Sequence, residues 1–203
     1  DLNSYLTNDA PRSPEISLSL TADSTTLVAV QEDTSSRLWV TAPGEDENRS
    51  HQITNGKFDG LAGVSWTPDQ KILAVLESGS EAELWSMNGD GRERKQLTAD
   101  GYVKFRPEMS PDGRHIAFVT MRSSFSNIAR IYADGSNQRQ LTTGNAGGFG
   151  PRFTPDGRWI IFWSYMWSGV PMLGKVSIDG GGAEQLTTYY SAFPVFFSHS
   201  STS

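Results

Sequence analysis

Cysteine is missing from this 203-residue chain altogether, which excludes disulfides, a thiolate nucleophile and a cysteine-ligated metal. Histidine is scarce. His51, His115 and His199 are the three present, and with neither an H-x-x-x-H nor an H-E-x-x-H spacing they predict no zinc site. Basic residues are outnumbered, 17 Lys and Arg against 23 Asp and Glu, giving a formal net charge of −6. A nucleic-acid partner is therefore not expected, because neutralising phosphates needs a basic surface. The Arg92 to Lys95 basic cluster is broken by Glu93 and fits a solvated turn. Long apolar runs are lacking too. The densest, residues 159–163, is strand-sized against the roughly 18–20 residues a membrane helix needs, so membrane insertion is not expected. Residues 1–11 are polar and hold no signal-peptide core.

Catalytic motifs are equally sparse. The chain has no G-x-S-x-G elbow, no phosphate-binding loop and no kinase glycine loop with its lysine. Gly147-Gly148-Phe149-Gly150 is glycine-rich but runs into a strand pattern rather than a helix, which does not suit a phosphate cradle. The Asp-Gly pairs lack the alternating acidic ligands of a calcium loop and are explained by turn chemistry. These absences predict a protein that is not an enzyme and carries no cofactor or metal.

What the chain does contain is repetition. Tyr5-Leu6-Thr7, Gln52-Ile53-Thr54, Gln96-Leu97-Thr98, Gln140-Leu141-Thr142 and Gln185-Leu186-Thr187 recur at intervals of 47, 44, 44 and 45 residues. Thr67-Pro68-Asp69, Ser110-Pro111-Asp112-Gly113 and Thr154-Pro155-Asp156-Gly157 keep step, as do Asp90-Gly91, Asp134-Gly135 and Asp179-Gly180. Shared periodicity of this length marks a repeat architecture. In the third unit, strands are predicted over 105–109, 115–120, 127–132 and 138–142, separated by a Pro-Asp-Gly turn and an Asp-Gly turn. Turn signals every ten residues or so leave no room for a useful helix.

The second strand of each unit is almost continuously apolar, as in Leu27-Val28-Ala29-Val30, Ile72-Leu73-Ala74-Val75-Leu76, Ile116-Ala117-Phe118-Val119 and Ile160-Ile161-Phe162-Trp163. Such strands are expected to be buried on both faces, which is the situation of a blade flanked by other blades. Leu20, Trp66, Met109, Phe153 and Phe197 share one register before the turn and are expected to wedge between blades. Trp39 and Trp85 share another, filled by Ala129 and Gly174 in the later units. The fold class that follows is all-β, a β-propeller of four-stranded antiparallel blades, with four complete repeats and two partial ones. The expected boundaries are a partial blade at 1–11, blades at about 12–58, 59–101, 102–145 and 146–190, and a partial blade at 191–203. Because the repeats start and stop mid-blade, the chain is expected to be part of a larger ring, its missing blades supplied by the parent chain or by self-association.

The stretches MSPDGRHIAFVT, FTPDGRWIIFWS, NGDGRERKQLT and IDGGGAEQLT resemble the TolB-type, WD-like propeller repeat of bacteria. The likeness extends from Leu6 to about Ser198. It implies the propeller fold and a periplasmic or cytoplasmic bacterial setting. It also implies three kinds of host: TolB itself, propeller domains that precede prolyl-oligopeptidase-type hydrolases, and sensor regions of bacterial serine/threonine kinases, to which KVSIDGGG is most similar. Gln70 stands where the turn glycine is expected and should adopt a positive φ.

The Pro-Asp-Gly and Asp-Gly turns are stereotyped and share one end of the blades. The other two connections vary between units, and loops on a rigid scaffold commonly carry binding. At that end stand Tyr165, Met166, Trp167, Tyr189, Tyr190, Phe193, Phe149, Arg122, Phe125, Tyr102 and Arg106, with Phe58 nearby. Aromatic residues, Met and Arg are enriched at protein interfaces, so a protein or peptide partner is expected there; the alternative is that these side chains fold inward and fill gaps. A small molecule or glycan at the channel mouth, or service to a hydrolase domain, are other readings of the same loops. Glu108 and Arg152 share a register on neighbouring first strands and are expected to form an ion pair or to line a polar channel.

Overall fold

The structure, a computed structural model, describes residues 18–20, 27–29, 35–41, 49–78, 81–122, 125–144, 147–167 and 169–188. It divides into two units, 1–35 and 36–203. In the first, β1 (Leu18–Leu20) pairs antiparallel with β2 (Leu27–Ala29). The second opens with β3 (Trp39–Val40) paired to β4 (His51–Gln52). Three four-stranded antiparallel sheets follow. The first comprises β5 (Val64–Trp66), β6 (Lys71–Ser78), β7 (Glu81–Asn88) and β8 (Lys95–Gln96). The next comprises β9 (Val103–Met109), β10 (His115–Arg122), β11 (Phe125–Tyr132) and β12 (Arg139–Gln140). The last comprises β13 (Gly148–Phe153), β14 (Trp159–Ser164), β15 (Met172–Ser177) and β16 (Glu184–Gln185). Each is an up-and-down meander in chain order.

Every residue of the Gln-Leu-Thr phrase has a structural task. The Gln side-chain amide donates to the Thr carbonyl two residues on, at Gln52, Gln96, Gln140 and Gln185. The aliphatic residue's own N–H closes the last rung to the third strand, as in Leu97 to Leu84 and Leu141 to Ile128. The Thr hydroxyl then accepts the amide of that third-strand residue, at Leu38, Leu84, Ile128 and Leu173. This hydroxyl ends the ladder, so the outer strands are two residues long where the sequence suggests five. The Pro-Asp-Gly phrase is equally explicit. The hydroxyls of Thr67, Ser110 and Thr154 donate to Asp69, Asp112 and Asp156 and accept the amides of Lys71, His115 and Trp159. Gln70 takes a φ of 62°, as its place in the turn predicts.

Three apolar clusters lie between sheets. Ile53, Ile72, Ala74, Leu76 and Met87, with Leu38, Val40 and Trp85, join β3–β4 to the first four-stranded sheet. Leu73, Val75, Leu84, Leu97, Ile116, Phe118, Ala129 and Ile131 join the first sheet to the second. Ala117, Val119, Ile128, Leu141, Phe153, Ile160, Phe162 and Val176 join the second to the third. Residues 72–76 of β6 and 116–120 of β10 are buried without a break, as expected for strands covered on both faces. β14 departs from that expectation. Ile160, Phe162 and Ser164 are buried but Ile161 and Trp163 only half so, because no described sheet lies against their face. Trp66 is a second correction. Met109 and Phe153 do wedge between sheets, yet Trp66 is 58% exposed, since β3 and β4 cover β6 and β7 but not β5. Trp39 is likewise exposed while Trp85 is partly buried.

Basic side chains tie the outer strands together. Lys95 donates to the Asp134 carbonyl and Arg139 to the Asp179 carbonyl, each reaching the Asp-Gly turn of the next sheet. Arg94 reaches back to the carbonyl of Ile53. The basic cluster at 92–95 is thus exposed, but two of its members hold neighbouring sheets in place.

Candidate recognition site at the loop end

The inner strands carry a bulge that shapes the site. Register slips between β9 and β10 around Arg106-Pro107, and between β13 and β14 around Gly150-Pro151. Gly63, Arg106 and Gly150 occupy equivalent positions and take φ values of 134°, 48° and 57°. Two are glycines, for which such a backbone is free. Arg106 takes a φ close to that of Gly150 but with a side chain, at a cost of about 1–2 kcal/mol. The bulge also brings sheets together, with the Arg106 N–H donating to the Ala62 carbonyl at 2.7 Å.

Arg106 therefore stands exposed at the rim of a cleft of about 230 Å³ between the second and third sheets. Phe105, Val119, Met121, Ser126 and Phe149 complete its lining. Ser126 is buried and its hydroxyl has no hydrogen-bond partner. On the inner strands, Arg152 forms the expected ion pair with Glu108, whose second oxygen accepts the Phe153 N–H at 3.4 Å. Burial, and then the nearby Arg106 charge, press the Arg152 guanidinium below its ordinary pKa.

Most of the loop-end residues singled out from sequence stand near this cleft or on its flanking hairpins. Phe149 meets Tyr165 edge-to-face at 6.2 Å between centroids, and both are exposed. The Arg122 guanidinium stacks on the Tyr102 ring at 4.2 Å. Phe125 is exposed and pairs in register with Arg122 across the β10–β11 hairpin. Met166 is half-buried, its N–H held by the Ser164 hydroxyl. Phe58 belongs to an earlier loop, beneath the Lys57 ammonium. Tyr189, Tyr190 and Phe193 lie outside the described residues.

Trp167 behaves differently. It turns inward, 6.3 Å from the Phe162 ring, and joins the cluster between the second and third sheets. A Cβ on Gly174 would sit 2.2 Å from the Trp167 ring. The loop tryptophan thus fills the space that Gly174 leaves, in the register where Trp85 supplies its own ring. Sequence reasoning missed four lining residues: Phe105, Val119, Met121 and Ser126. Met121 was hidden because β10 runs two residues past its expected end. Ser126 was hidden because β11 starts two residues before its expected beginning, and Phe105 and Val119 look like ordinary strand residues until the bulge opens a gap beside them.

Beneath the same end lies a buried ionic cluster. Lys104 is fully buried, its ammonium 3.1 Å from Glu83 and bonded also to Asp100 and to the Tyr102 carbonyl. Glu83 accepts from the Thr98 hydroxyl and the Gly101 N–H. Burial pushes the Asp100 carboxyl up, but hydrogen bonds from Lys104, Gln138 and the Tyr102 N–H outweigh it, leaving the pKa below the usual carboxylate value. With every polar group partnered, this cluster is structural. Among the described residues no group of three acidic or histidine side chains could hold a metal ion, and no helix is long and apolar enough to cross a membrane.

Four-stranded meanders with apolar seams between successive sheets are the blades of a β-propeller. Comparison with solved structures identifies the kind: the fold is that of TolB propellers. A chain assigned as TolB in Agrobacterium tumefaciens superposes with a TM-score of 0.65 at 20% identity, covering 86% of this chain and 62% of that one. TolB from Acinetobacter baumannii gives 0.62 at 20% identity, covering 85% and 43%. A puromycin hydrolase gives 0.53 at 18% identity, covering 70% of this chain and 24% of that one. The chain spans less than two thirds of the length of either TolB protein. No family model and no curated protein matches it in sequence.

Proposed function

We propose that this chain is a non-catalytic propeller module that binds a protein or peptide through the variable loop end of its blades. One observation carries the reading. Phe125, Phe149 and Tyr165 are exposed around a cleft at the loop end, whereas the Asp-Gly and Pro-Asp-Gly turns at the other end satisfy their own polar groups. Rigid, exposed aromatic side chains beside a pocket are the usual anchors of protein interfaces. A sensor role within a signalling protein is the version of this function we favour. The fold likeness to a puromycin hydrolase supports an alternative, in which the propeller serves a hydrolase domain.

The test is selection of peptides from a displayed random library on the immobilised chain, followed by their binding to Phe125→Ala/Tyr165→Ala. Both side chains are substantially exposed, so the double variant should keep its urea midpoint and lose the selected peptides. Trp167 is unsuitable for this purpose because it packs inward. Selected peptides that bind the double variant as well as the parent chain would refute the assignment.

A further inference from the structure

The two sheets that flank the cleft are polarised in charge. From Met109 to Thr188 the acidic residues are Asp112, Asp134, Asp156, Asp179 and Glu184. The four aspartates belong to the Pro-Asp-Gly and Asp-Gly turns, and Glu184 pairs with Lys175 on the outer edge at 3.1 Å. The loop-end stretches 119–128, 141–153 and 162–174 hold no Asp or Glu, in a protein whose net charge is −6. Arg106, Arg122 and Arg152 stand at that end. The carboxylates of β9 and the strand connection before it are already committed, Glu108 to Arg152 and Asp100 to Lys104. On the preceding sheet, at the β6–β7 hairpin, the Glu77 carboxylate accepts the Lys57 N–H at 2.9 Å. Arg106 has no ion-pair partner among the described residues, and it is held exposed at the cleft by a backbone conformation that Gly150 takes in the next repeat.

We infer that the cleft between the second and third sheets takes the apolar side chain of an acidic peptide segment, with a neighbouring carboxylate on Arg106. This rests on the loop-end reading above and specifies its partner. The cleft floor of Phe105, Val119, Met121 and Phe149 is apolar and large enough for one side chain such as Phe or Leu. The unpartnered Ser126 hydroxyl, buried in that lining, supplies a hydrogen bond to the entering backbone. A guanidinium beside an apolar pocket favours a carboxylate through a charge-assisted, two-point hydrogen bond. The acids nearest to it, Glu108 and Asp100, are already paired with Arg152 and Lys104, which leaves Arg106 open to it. A cleft of about 230 Å³ fits one side chain rather than a lipid surface.

The experiment uses a short fluorescent peptide with a central Phe flanked by Asp and Glu, blocked at both termini. Matched probes replace the acids with Asn and Gln, replace them with Lys, or replace the Phe with Ala. A single-stranded oligonucleotide and an anionic vesicle serve as competitors. The acidic Phe peptide should bind at least about tenfold more tightly than each matched probe, with affinity falling as salt rises. Arg106→Gly, which frees the backbone while removing the charge, should weaken it by about tenfold or more. Arg106→Gln, which keeps side-chain length, should do the same. Equal binding of neutral or basic probes, or full affinity in both Arg106 variants, would overturn the acidic-partner inference while leaving loop-end binding standing. Preference for the oligonucleotide or vesicle would overturn it too. Failure of every peptide, including those selected from the library, would remove both readings.

Discussion

Replacing Lys104 with Met should be among the most damaging single changes in the chain, and its size follows from the geometry. Lys104 is fully buried and Glu83 is 3% exposed, so neither can turn to water when its partner leaves. The ammonium serves Glu83, Asp100 and the Tyr102 carbonyl together. Its loss converts a cluster of net charge −1 into one of −2 in the same space. Removing one partner of a buried pair costs about 3–5 kcal/mol. Glu83 keeps the Thr98 hydroxyl and the Gly101 N–H, and Asp100 keeps Gln138 and the Tyr102 N–H. These donors place the cost near the lower bound, about 3 kcal/mol. With a urea slope of about 2 kcal/mol per molar, the midpoint should fall by roughly 1.5 M. The pH dependence gives a second check. The folded pKa of Asp100 is depressed, so its contribution to stability is present above the unfolded value and fades as pH drops through the folded one. Because the hydrogen bond from Lys104 does most to lower that pKa against the opposing effect of burial, the gap between parent and variant should be widest at neutral pH and narrow below about pH 4. A midpoint shift under about 0.3 M at pH 7 would show that the cluster is not buried as described.

Three further outcomes follow from the structure. Trp167→Ala should cost about 3 kcal/mol by opening a cavity over Gly174 and Phe162, measured as a urea midpoint shift; a loss under about 0.5 kcal/mol would place the ring in solvent. Gln70→Gly should raise stability by roughly 0.5–1 kcal/mol by relieving a left-handed backbone, and a fall in melting temperature would contradict the φ of 62°. Ser110→Ala removes the leading cause of the depressed Asp112 pKa, so the Asp112 carboxyl should titrate at higher pH in the variant by carbon-detected NMR. An unchanged titration would mean that the Ser110 hydroxyl does not donate to it.

The fold was legible because each repeated phrase satisfies backbone groups that every blade must satisfy. Gln-Leu-Thr ends a ladder, Pro-Asp-Gly closes one hairpin and Asp-Gly another, so the chemistry recurs wherever the geometry does. The continuous apolar strands revealed the stacking, although β14 shows that such a run can also stand half-covered. The Glu108–Arg152 pair was foreseeable from register alone. The cleft was not. It depends on a bulge one residue long, and nothing about Arg106 in a linear sequence says that its φ is positive. Comparison of repeats held the clue, since Gly63 and Gly150 occupy the same position. Trp167 shows the converse. Its place in a variable loop suggests recognition, while Gly174, seven residues away, marks the hole that it fills.

The charge distribution joins fold to proposed function. A β-hairpin turn built on Asp needs that carboxylate to accept backbone and hydroxyl hydrogens, so in the second and third sheets the repeat pins acids to one end of each blade. The loops opposite have no such requirement, and stretches 119–128, 141–153 and 162–174 of those sheets hold no acid. A chain with net negative charge can therefore present a cationic rim without any surplus of Lys or Arg, because position rather than number sets the local field. Net charge counted over the whole sequence argues against phosphate backbones, but it says little about a peptide that touches only this end. The strained Arg106 then has a physical rationale. Glycine would hold the bulge at lower cost, as Gly150 does in the next repeat, and the proposed carboxylate contact gives the guanidinium at Arg106 a use that offsets the strain.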